Sequence, residues 1–480
     1  MLQAYVANNA TALSAFVNAE MAQVNVAWML MCGFFVVAML VGYVVLEAGT
    51  VRTGQMDFVF TKNFTIVCFT FFCYWIIGHA LAFGKDEGGF FGTTDFADSD
   101  MYYYSAKITG AHRWFFQSSF SAIAAVLLFT SLQERVDLAS TLAYTFFFSS
   151  WVWPVIAHWI WGQGWLSAWG AYPNSNGVPR PIFKYSESSN GFIDHAGSAV
   201  VHLASGFSGL VGVVVLGPRK RRSTREANPV ILALGTLLVW FGSFGSYAGW
   251  TVFISEGRSN AAGKVVMNTA ICCSSSVIFS TLITYIFDRK LNYMSIINGV
   301  LIGLVAISGA CSVVKPWSAP PLLCSSPPLL AFPSPLGNFC QGFLTLSRMA
   351  FLIGLGAAVF LFAGHTMLEV LSLDDPREAC IVHGFGGLWG SWSTGIFCTD
   401  SNVRYAGYPN VNTACRSGEQ FGVQVVGTLV VILWASAFAG IFFFVIRMSE
   451  IRGSKPSSSR PPSTQPSSSP QAETRAGPYF

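Results

Sequence analysis

Charge is the scarcest feature of this 480-residue chain: only 10% of its residues are charged, whereas 52% are hydrophobic. Soluble domains carry about 25% charged residues, so the composition excludes an ordinary soluble fold. The 11 cysteines form no CxxC pair and no cluster with histidine, so we expect no metal or redox cofactor. The net charge of +4 is small and the basic residues concentrate in loops, which does not suggest nucleic-acid binding.

Long apolar runs recur along the whole chain. A helix of about 20 residues crosses a bilayer. By this criterion we predict an all-α polytopic membrane protein with eleven transmembrane segments, near 27–46, 64–84, 114–132, 138–161, 196–217, 229–251, 265–287, 292–314, 350–372, 379–397 and 421–446.

Two Pro/Ser-rich stretches interrupt this pattern. Residues 319–349 have no hydrophobic period and separate segments eight and nine, and residues 449–480 have the composition of a disordered tail. The predicted organisation is an extracellular N-terminal segment (1–25), helices one to eight (26–318), an extracellular insertion (319–349), helices nine to eleven (350–448) and a cytoplasmic tail (449–480).

Basic residues follow odd-numbered segments. The loop after segment five reads GPRKRRSTRE, Arg289 and Lys290 follow segment seven, and Arg447 and Arg452 follow segment eleven. Lysine and arginine in short loops mark the cytoplasmic side. We therefore predict that the N-terminus lies outside and the C-terminus in the cytoplasm.

Two histidines lie in the middle of apolar segments rich in small residues. His202 lies in AGSAVVHLASGFSGLVG and His383 in ACIVHGFGGLWGSW. An ionisable side chain at membrane depth usually faces the bundle interior and marks an ion or proton pathway. Because these are the fifth and tenth segments, we predict a five-plus-five inverted repeat with one peripheral helix and a pore between the repeats.

Five motifs, in this order, together resemble the ammonium transporter family (the Amt/Mep/Rh superfamily), on the Amt branch and of eukaryotic type. They are LEAGTVR, FFQSSFSAIAAVLLFTSLQER, PVIAHWIWGQGW, DHAGSAVVHLASGFSGLVG and DDPREACIVHGFGGLWGSWSTGIF, and the resemblance covers roughly residues 25–450. It implies a plasma-membrane ammonium uptake transporter, with no enzymatic activity and no cofactor. It also implies a homotrimer with one pore through each subunit.

The resemblance also implies roles for individual residues. Phe120 and Trp161 resemble the walls of an outer recruitment site, and Asp194 resembles the buried aspartate near it. Phe116 lies one helical turn before Phe120, and the two would form an outer gate. His202 and His383 resemble the paired pore histidines of the family.

Segment six departs from the family pattern. The family usually places a gating phenylalanine and, one turn later, a serine after a WFG-like triplet, whereas this chain reads WFGSFGSYAG. Gapless matching puts Ser243 and Tyr247 at these positions. With a local shift, Phe244 would serve as a gate and Ser246 in recruitment. The family sequence also reads as continuous once 319–349 is removed, which suggests a lineage-specific insertion or a retained intron.

These residue types suit ammonium chemistry. Aromatic faces can hold a partly dehydrated cation, and two imidazoles near neutral pKa can accept its proton and share one between their rings. We expect deprotonation at the outer site and ammonia conduction past the histidines, with or without the proton. The alternatives are an electroneutral ammonia or carbon dioxide channel of Rh type, an ammonium sensor, and a redox protein with His202 and His383 as haem ligands.

The other histidines and one cysteine pair are expected to have structural roles. A single histidine in a membrane segment is more often a packing or hydrogen-bonding residue than a relay, and we assign His79, His158 and His365 to this class. His195 lies near a segment end and is expected at the interface between membrane and water. Cys398 and Cys415 flank one polar loop and would pair if that loop were extracellular.

Overall fold

The computed structural model describes residues 2–51, 53–99, 110–169, 172–173, 179–180, 191–219, 228–255, 257–315, 349–408, 415 and 418–453. The predicted insertion at 319–349 and the predicted tail at 449–480 therefore lie almost entirely outside the described residues.

Helices make up most of this part of the chain. Helices α1 to α14 occupy Leu2–Ala48, Met56–Cys73, His79–Phe83, Ala111–Thr130, Leu138–Phe147, Trp153–Ile160, Ala204–Leu216, Pro229–Gly249, Arg258–Asp288, Tyr293–Ser308, Met349–Val370, Gly386–Phe397, Asp400–Tyr405 and Glu419–Gly453. π-Helical turns at Tyr74–Gly78, Phe148–Val152, Ser198–Leu203 and Cys380–Phe385 run directly into the α-helices that follow, and short 3-10 turns occupy Thr53–Gln55 and Phe96–Asp98. The strands form antiparallel pairs, β1 (Asp86–Glu87) with β2 (Phe91–Gly92) and β3 (Tyr172–Pro173) with β4 (Pro179–Arg180).

Helical structure overlaps each of the eleven predicted apolar runs. Among the described residues, seven helical spans are long and apolar enough to cross a membrane by length and composition, and α10 is a shorter apolar helix. Helix α4 is diluted by polar residues but is buried from Phe116 to Thr130, because neighbouring helices surround it. Several boundaries differ from the prediction: α1, α2 and α9 begin earlier, α10 ends earlier and α14 continues further.

Side-chain caps fix where several helices begin. The Asn228 side chain accepts hydrogen bonds from the N–H groups of Val230 (3.1 Å) and Ile231 (3.2 Å), and Pro229 occupies the first turn of α8. Proline is favoured there because that N–H has no helical partner. Asn292 caps α10 in the same way through the N–H of Met294. These caps end the preceding loops and set the start of each span.

Glycine allows α1 and α8 to pack backbone against backbone. A Cβ atom at Gly42 would stand 2.6 Å from the backbone nitrogen of Val239, and one at Gly235 would stand 2.7 Å from that of Leu46. Small residues at helix crossings are typical of membrane bundles, where close packing replaces the hydrophobic effect. The outward faces carry exposed apolar side chains such as Phe64, Leu433 and Ile441, as expected for surfaces in contact with lipid.

A partly buried aspartate links three parts of the chain at one end of the bundle. Asp374 forms ion pairs with Arg135, which follows α4, and with Arg219, which follows α7. Burial alone would raise the pKa of Asp374, but its bonds to the two arginines hold it below its usual range. Near the other end, Cys398 and Cys415 form a disulfide.

Candidate functional site: a histidine pair below an aromatic vestibule

The two predicted pore histidines lie side by side. His202 belongs to the π-helix Ser198–Leu203, here called πA, and His383 to the π-helix Cys380–Phe385, here called πB. Both side chains are buried. Their ring centroids are 5.2 Å apart and the rings are nearly parallel, at 13°. The two segments therefore place their titratable groups at a single point inside the protein.

The Nδ1 atoms of both histidines are buried without a hydrogen-bond partner. The His383 ring also meets the edge of Tyr43, at 5.6 Å between centroids. Buried polar atoms are normally hydrogen-bonded, so these two nitrogen atoms are available to bond a molecule that passes between the rings.

Glycine at the crossing of the two segments allows the rings to approach. A Cβ atom at Gly206 would stand 2.1 Å from the backbone nitrogen of Gly384, directly after His383. A Cβ atom at Gly387 would stand 2.5 Å from the carbonyl oxygen of Ser198. Only residues without a side chain permit this backbone contact, which fixes the distance between the histidines.

An aspartate caps the start of each π-helix, eight residues before its histidine. Asp194 accepts hydrogen bonds from the N–H groups of Gly197 (3.2 Å), Ala199 (3.0 Å) and Val200 (2.9 Å). Asp375 accepts them from the N–H groups of Arg377 (3.2 Å) and Cys380 (2.8 Å). Negative charge is favourable at a helix N-terminus.

The Asp194 carboxyl thus orients πA and is not directed into the vestibule. Burial raises the pKa of Asp194 to about 6, against the opposing effect of its N–H donors. The matching role of Asp375 was missing from the sequence prediction. The repeated spacing from aspartate to histidine in the two segments was the signal for it.

Replacement of Asp194 by asparagine should destabilise the protein. An amide nitrogen cannot accept the bonds from Ala199 and Val200, and a buried N–H without an acceptor costs about 1–3 kcal/mol. The measurement is the midpoint of thermal unfolding in detergent. Asp137→Asn is the control, because Asp137 caps α5 at an exposed position and asparagine is an equally good cap. Equal shifts of the unfolding midpoint in the two variants would contradict the role of Asp194 as the buried cap of πA.

Four aromatic rings lie together near the N-terminal end of α4, and three of them line a cavity. The ring centroids of Phe116 and Phe120 are 5.1 Å apart, and those of Phe120 and Trp161 are 5.9 Å apart. Trp250, directly after α8, lies 4.0 Å from Trp161 and 5.7 Å from Phe120. We call these four rings the aromatic cluster. The sequence prediction missed Trp250, because a tryptophan at the end of a span is typical of a membrane interface.

The cavity above the aromatic cluster, here called the vestibule, has a volume of about 330 Å³ and is lined in part by Phe116, Trp161 and Trp250. Arg113 and Arg258 also line it. The Arg113 guanidinium lies 4.4 Å from the ring centroid of Phe83, and that of Arg258 lies 5.3 Å from that of Phe253. The vestibule therefore combines aromatic surface with positive charge.

The vestibule is joined to the histidine pair through Asp194. The Trp161 Nε1–H donates to the carbonyl oxygen of Asp194, at 2.7 Å. The carboxylate of the same residue caps πA, which carries His202. A single residue thus fixes the orientation of the Trp161 ring and the start of the segment that holds the first histidine.

The assignments in segment six need correction. Ser246 is buried, and its hydroxyl donates to the carbonyl oxygen of Ser243 (3.3 Å) and lies 3.8 Å from the sulfur of Met39. It does not line the vestibule. The Phe244 ring lies next to that of Trp240, at 6.3 Å between centroids, and makes no ring contact with Phe116 or Phe120. Helix α8 is continuous through this region, and Phe244 is half-buried.

Two other buried histidines, His158 and His195, are bonded to neighbouring groups of the protein. His158 bonds the carbonyl oxygen of Ala82 (3.0 Å) and the carboxylate of Asp86 (2.8 Å). His195, expected at the interface, is instead buried, and its Nε2 lies 3.2 Å from the carbonyl oxygen of Tyr247. Within the described ranges, no three His, Cys, Asp or Glu side chains form a group suited to a metal ion.

The fold and the site together define a polytopic α-helical membrane protein with a pair of buried histidines below an aromatic vestibule. The chain belongs to the ammonium transporter family, whose model matches residues 27–320 and 342–454. This is a family of transporters and not of enzymes. The match is interrupted within the segment predicted as an insertion.

Individual relatives agree with this assignment. The chain is 31% identical to ammonium transporter 1 member 3 of Solanum lycopersicum, over 88% of this chain and 87% of the relative. It is 30% identical to ammonium transporter Amt2 of Archaeoglobus fulgidus, over 88% and 82% respectively. The solved structure of Candida albicans Mep2 superposes with a TM-score of 0.71 at 21% identity, over 91% of this chain and 86% of that chain. At that identity the superposition supports the fold alone.

Proposed function

We propose that this protein takes up ammonium, which binds at the aromatic cluster, loses its proton there and passes the histidine pair as ammonia. The observation that carries the proposal is the connection from Trp161 through Asp194 to His202. This connection supports a path on which a cation-binding surface is followed by two buried proton acceptors.

The chemistry of the path supports loss of the proton. Each cation–π contact with Phe120, Trp161 or Trp250 stabilises ammonium by about 0.5–2 kcal/mol. The segment below is buried and holds no acidic side chain next to the imidazoles in the cavity that His383 lines, so a bare cation there costs several kcal/mol more than neutral ammonia does. The unpaired nitrogens of His202 and His383 offer ammonia the hydrogen bonds that it loses on leaving water.

We further propose eleven membrane crossings arranged as a five-plus-five inverted repeat with one peripheral helix. The shared pattern of an aspartate cap, a π-helix and a histidine in πA and πB supports this repeat. The basic residues after α7 and α9 support a cytoplasmic location for those loops, with the N-terminus outside and the C-terminus inside. A homotrimer in the plasma membrane is part of the same proposal, and family membership supports it.

One observation favours an electroneutral channel as the second candidate. Arg113 and Arg258 line the vestibule, and their positive charge opposes the accumulation of ammonium. A channel that receives neutral ammonia or carbon dioxide would not be affected by it. The two candidates differ in the species that the vestibule receives: the first predicts a rate of internal alkalinisation that falls when the aromatic faces are removed, and the second predicts a rate that does not.

Substitution of Trp161 tests recruitment at the aromatic cluster. Trp161→Phe and Trp161→Leu both lose the hydrogen bond to Asp194, but only the leucine variant lacks an aromatic face. We therefore expect the half-saturating ammonium concentration for internal alkalinisation of proteoliposomes to be about tenfold higher in Trp161→Leu than in Trp161→Phe. Equal values in the two variants would contradict cation binding by this ring.

A further inference from the structure

A buried arginine lies on the far side of the histidine pair from the vestibule. Arg377, in the loop before πB, is 4% exposed. It lines a cavity of about 10 Å³ together with Tyr43, Thr130 and His383. This cavity lies near the C-terminal ends of α1 and α4, whereas the vestibule lies nearer their N-terminal ends, at Met29 and Phe116. Arg377 is therefore at the opposite end of the proposed path.

The Arg377 guanidinium has little direct compensation for its charge. Its Nε and Nη1 atoms are buried without a hydrogen-bond partner. Burial lowers the pKa of Arg377 to about 10, so the side chain is still protonated at neutral pH. Because a buried charge is normally paired, an arginine with two unpaired nitrogen atoms beside a pore histidine requires an explanation.

Three carboxylates lie within electrostatic range of this guanidinium, and each is bonded elsewhere. Glu47 pairs with Lys62 and with the amide of Asn63. Asp375 accepts backbone N–H groups at the start of πB. Glu378 accepts from Asn298 and bonds His365. The negative charges of these acids lower the free-energy cost of burying Arg377, but none of them accepts a hydrogen bond from its Nε or Nη1 atom.

We propose that Arg377 is a selectivity residue, a fixed positive charge below His383 that repels cations and allows neutral ammonia to pass. This inference rests on the proposed function and adds an electrostatic barrier to it. A positive charge beside a narrow, poorly hydrated path raises the free energy of any cation in that path. Potassium is thereby excluded, and ammonium must give up its proton before it leaves the histidine pair.

The test compares potassium leak with ammonium transport in proteoliposomes. Rubidium-86 uptake reports the potassium leak whether or not transport is electrogenic, and ammonium-driven internal alkalinisation reports activity. Arg377→Gln should raise the ratio of rubidium uptake to ammonium transport about tenfold, whereas Arg377→Lys, which keeps the charge, should leave the ratio near that of the wild type. Lys290→Gln removes an equal charge at an exposed position and should not change the ratio.

The outcomes separate this inference from the proposed function. Wild-type protein without ammonium transport would overturn the function and, with it, the inference. Normal wild-type transport with an unchanged ratio in Arg377→Gln would overturn the inference alone, as would an equal rise in Arg377→Lys. If Arg377→Gln does not fold, Arg377→Met, which keeps the apolar stem without the charge, replaces it with the same expected rise.

Discussion

Replacement of Gly206 by alanine is expected to abolish transport, with a loss of at least about 100-fold. The added Cβ atom would stand 2.1 Å from the backbone nitrogen of Gly384 and 2.5 Å from its Cα atom. Backbone atoms cannot rotate away as a flexible side chain can, so πA and πB would have to separate. Overpacking in a closely packed interior costs about 1–3 kcal/mol or more, and here the separation also moves His202 away from His383.

The matched control is Gly263→Ala in α9, where an added Cβ atom would meet nothing within 4 Å. Alanine at an open helical position should be neutral or slightly stabilising. Ammonium-driven alkalinisation of proteoliposomes gives the activity, and thermal unfolding in detergent gives the stability. Full activity in Gly206→Ala would contradict the backbone contact that sets the distance between the histidines.

Removal of either histidine should reduce ammonium transport at least about tenfold. His202→Ala and His383→Ala each take away one of the two hydrogen-bonding groups between which ammonia would pass. Groups that act as a unit give non-additive losses, so we expect the double variant to lose little more activity than either single variant. The measurement is the initial rate of ammonium-driven alkalinisation at saturating ammonium.

His365→Gln is the control for these variants, because His365 pairs with Glu378 and Glu369 away from the proposed path. It should retain most of the wild-type rate. If the loss in the double variant equals the product of the two single losses, the histidines act independently. Wild-type rates in both single variants would exclude a role of the histidine pair in transport.

Membership of the ammonium transporter family and the pairing of the histidines could be predicted from sequence, because both depend on local patterns. An ionisable residue in an apolar run has few stable positions other than the interior, and the small residues after His202 and His383 indicated a close helix crossing. Their proximity at 5.2 Å agrees with that interpretation. The positions of the apolar runs could also be predicted, because a bilayer sets their length, whereas the starts of α1, α2 and α9 could not.

The details of the vestibule were harder to predict, because they depend on which face each helix presents. In α8 a shift of one residue decides whether Phe244 or Ser243 points inward, and the sequence alone did not settle it. Trp250 and the arginines Arg113 and Arg258 reach the vestibule only through tertiary packing. The charge of Arg377 beside His383 likewise follows from how the loop before πB folds, and not from the residue's position in the chain.

The most direct test of the central claim is the response of wild-type proteoliposomes to ammonium and to potassium, with current and internal pH recorded together, beside the His202→Ala/His383→Ala double variant. The account predicts a response to ammonium with none to potassium in the wild type, and a response to ammonium reduced at least about tenfold in the double variant. Equal responses to both cations in the wild type, or an unchanged response to ammonium without the two histidines, would contradict it.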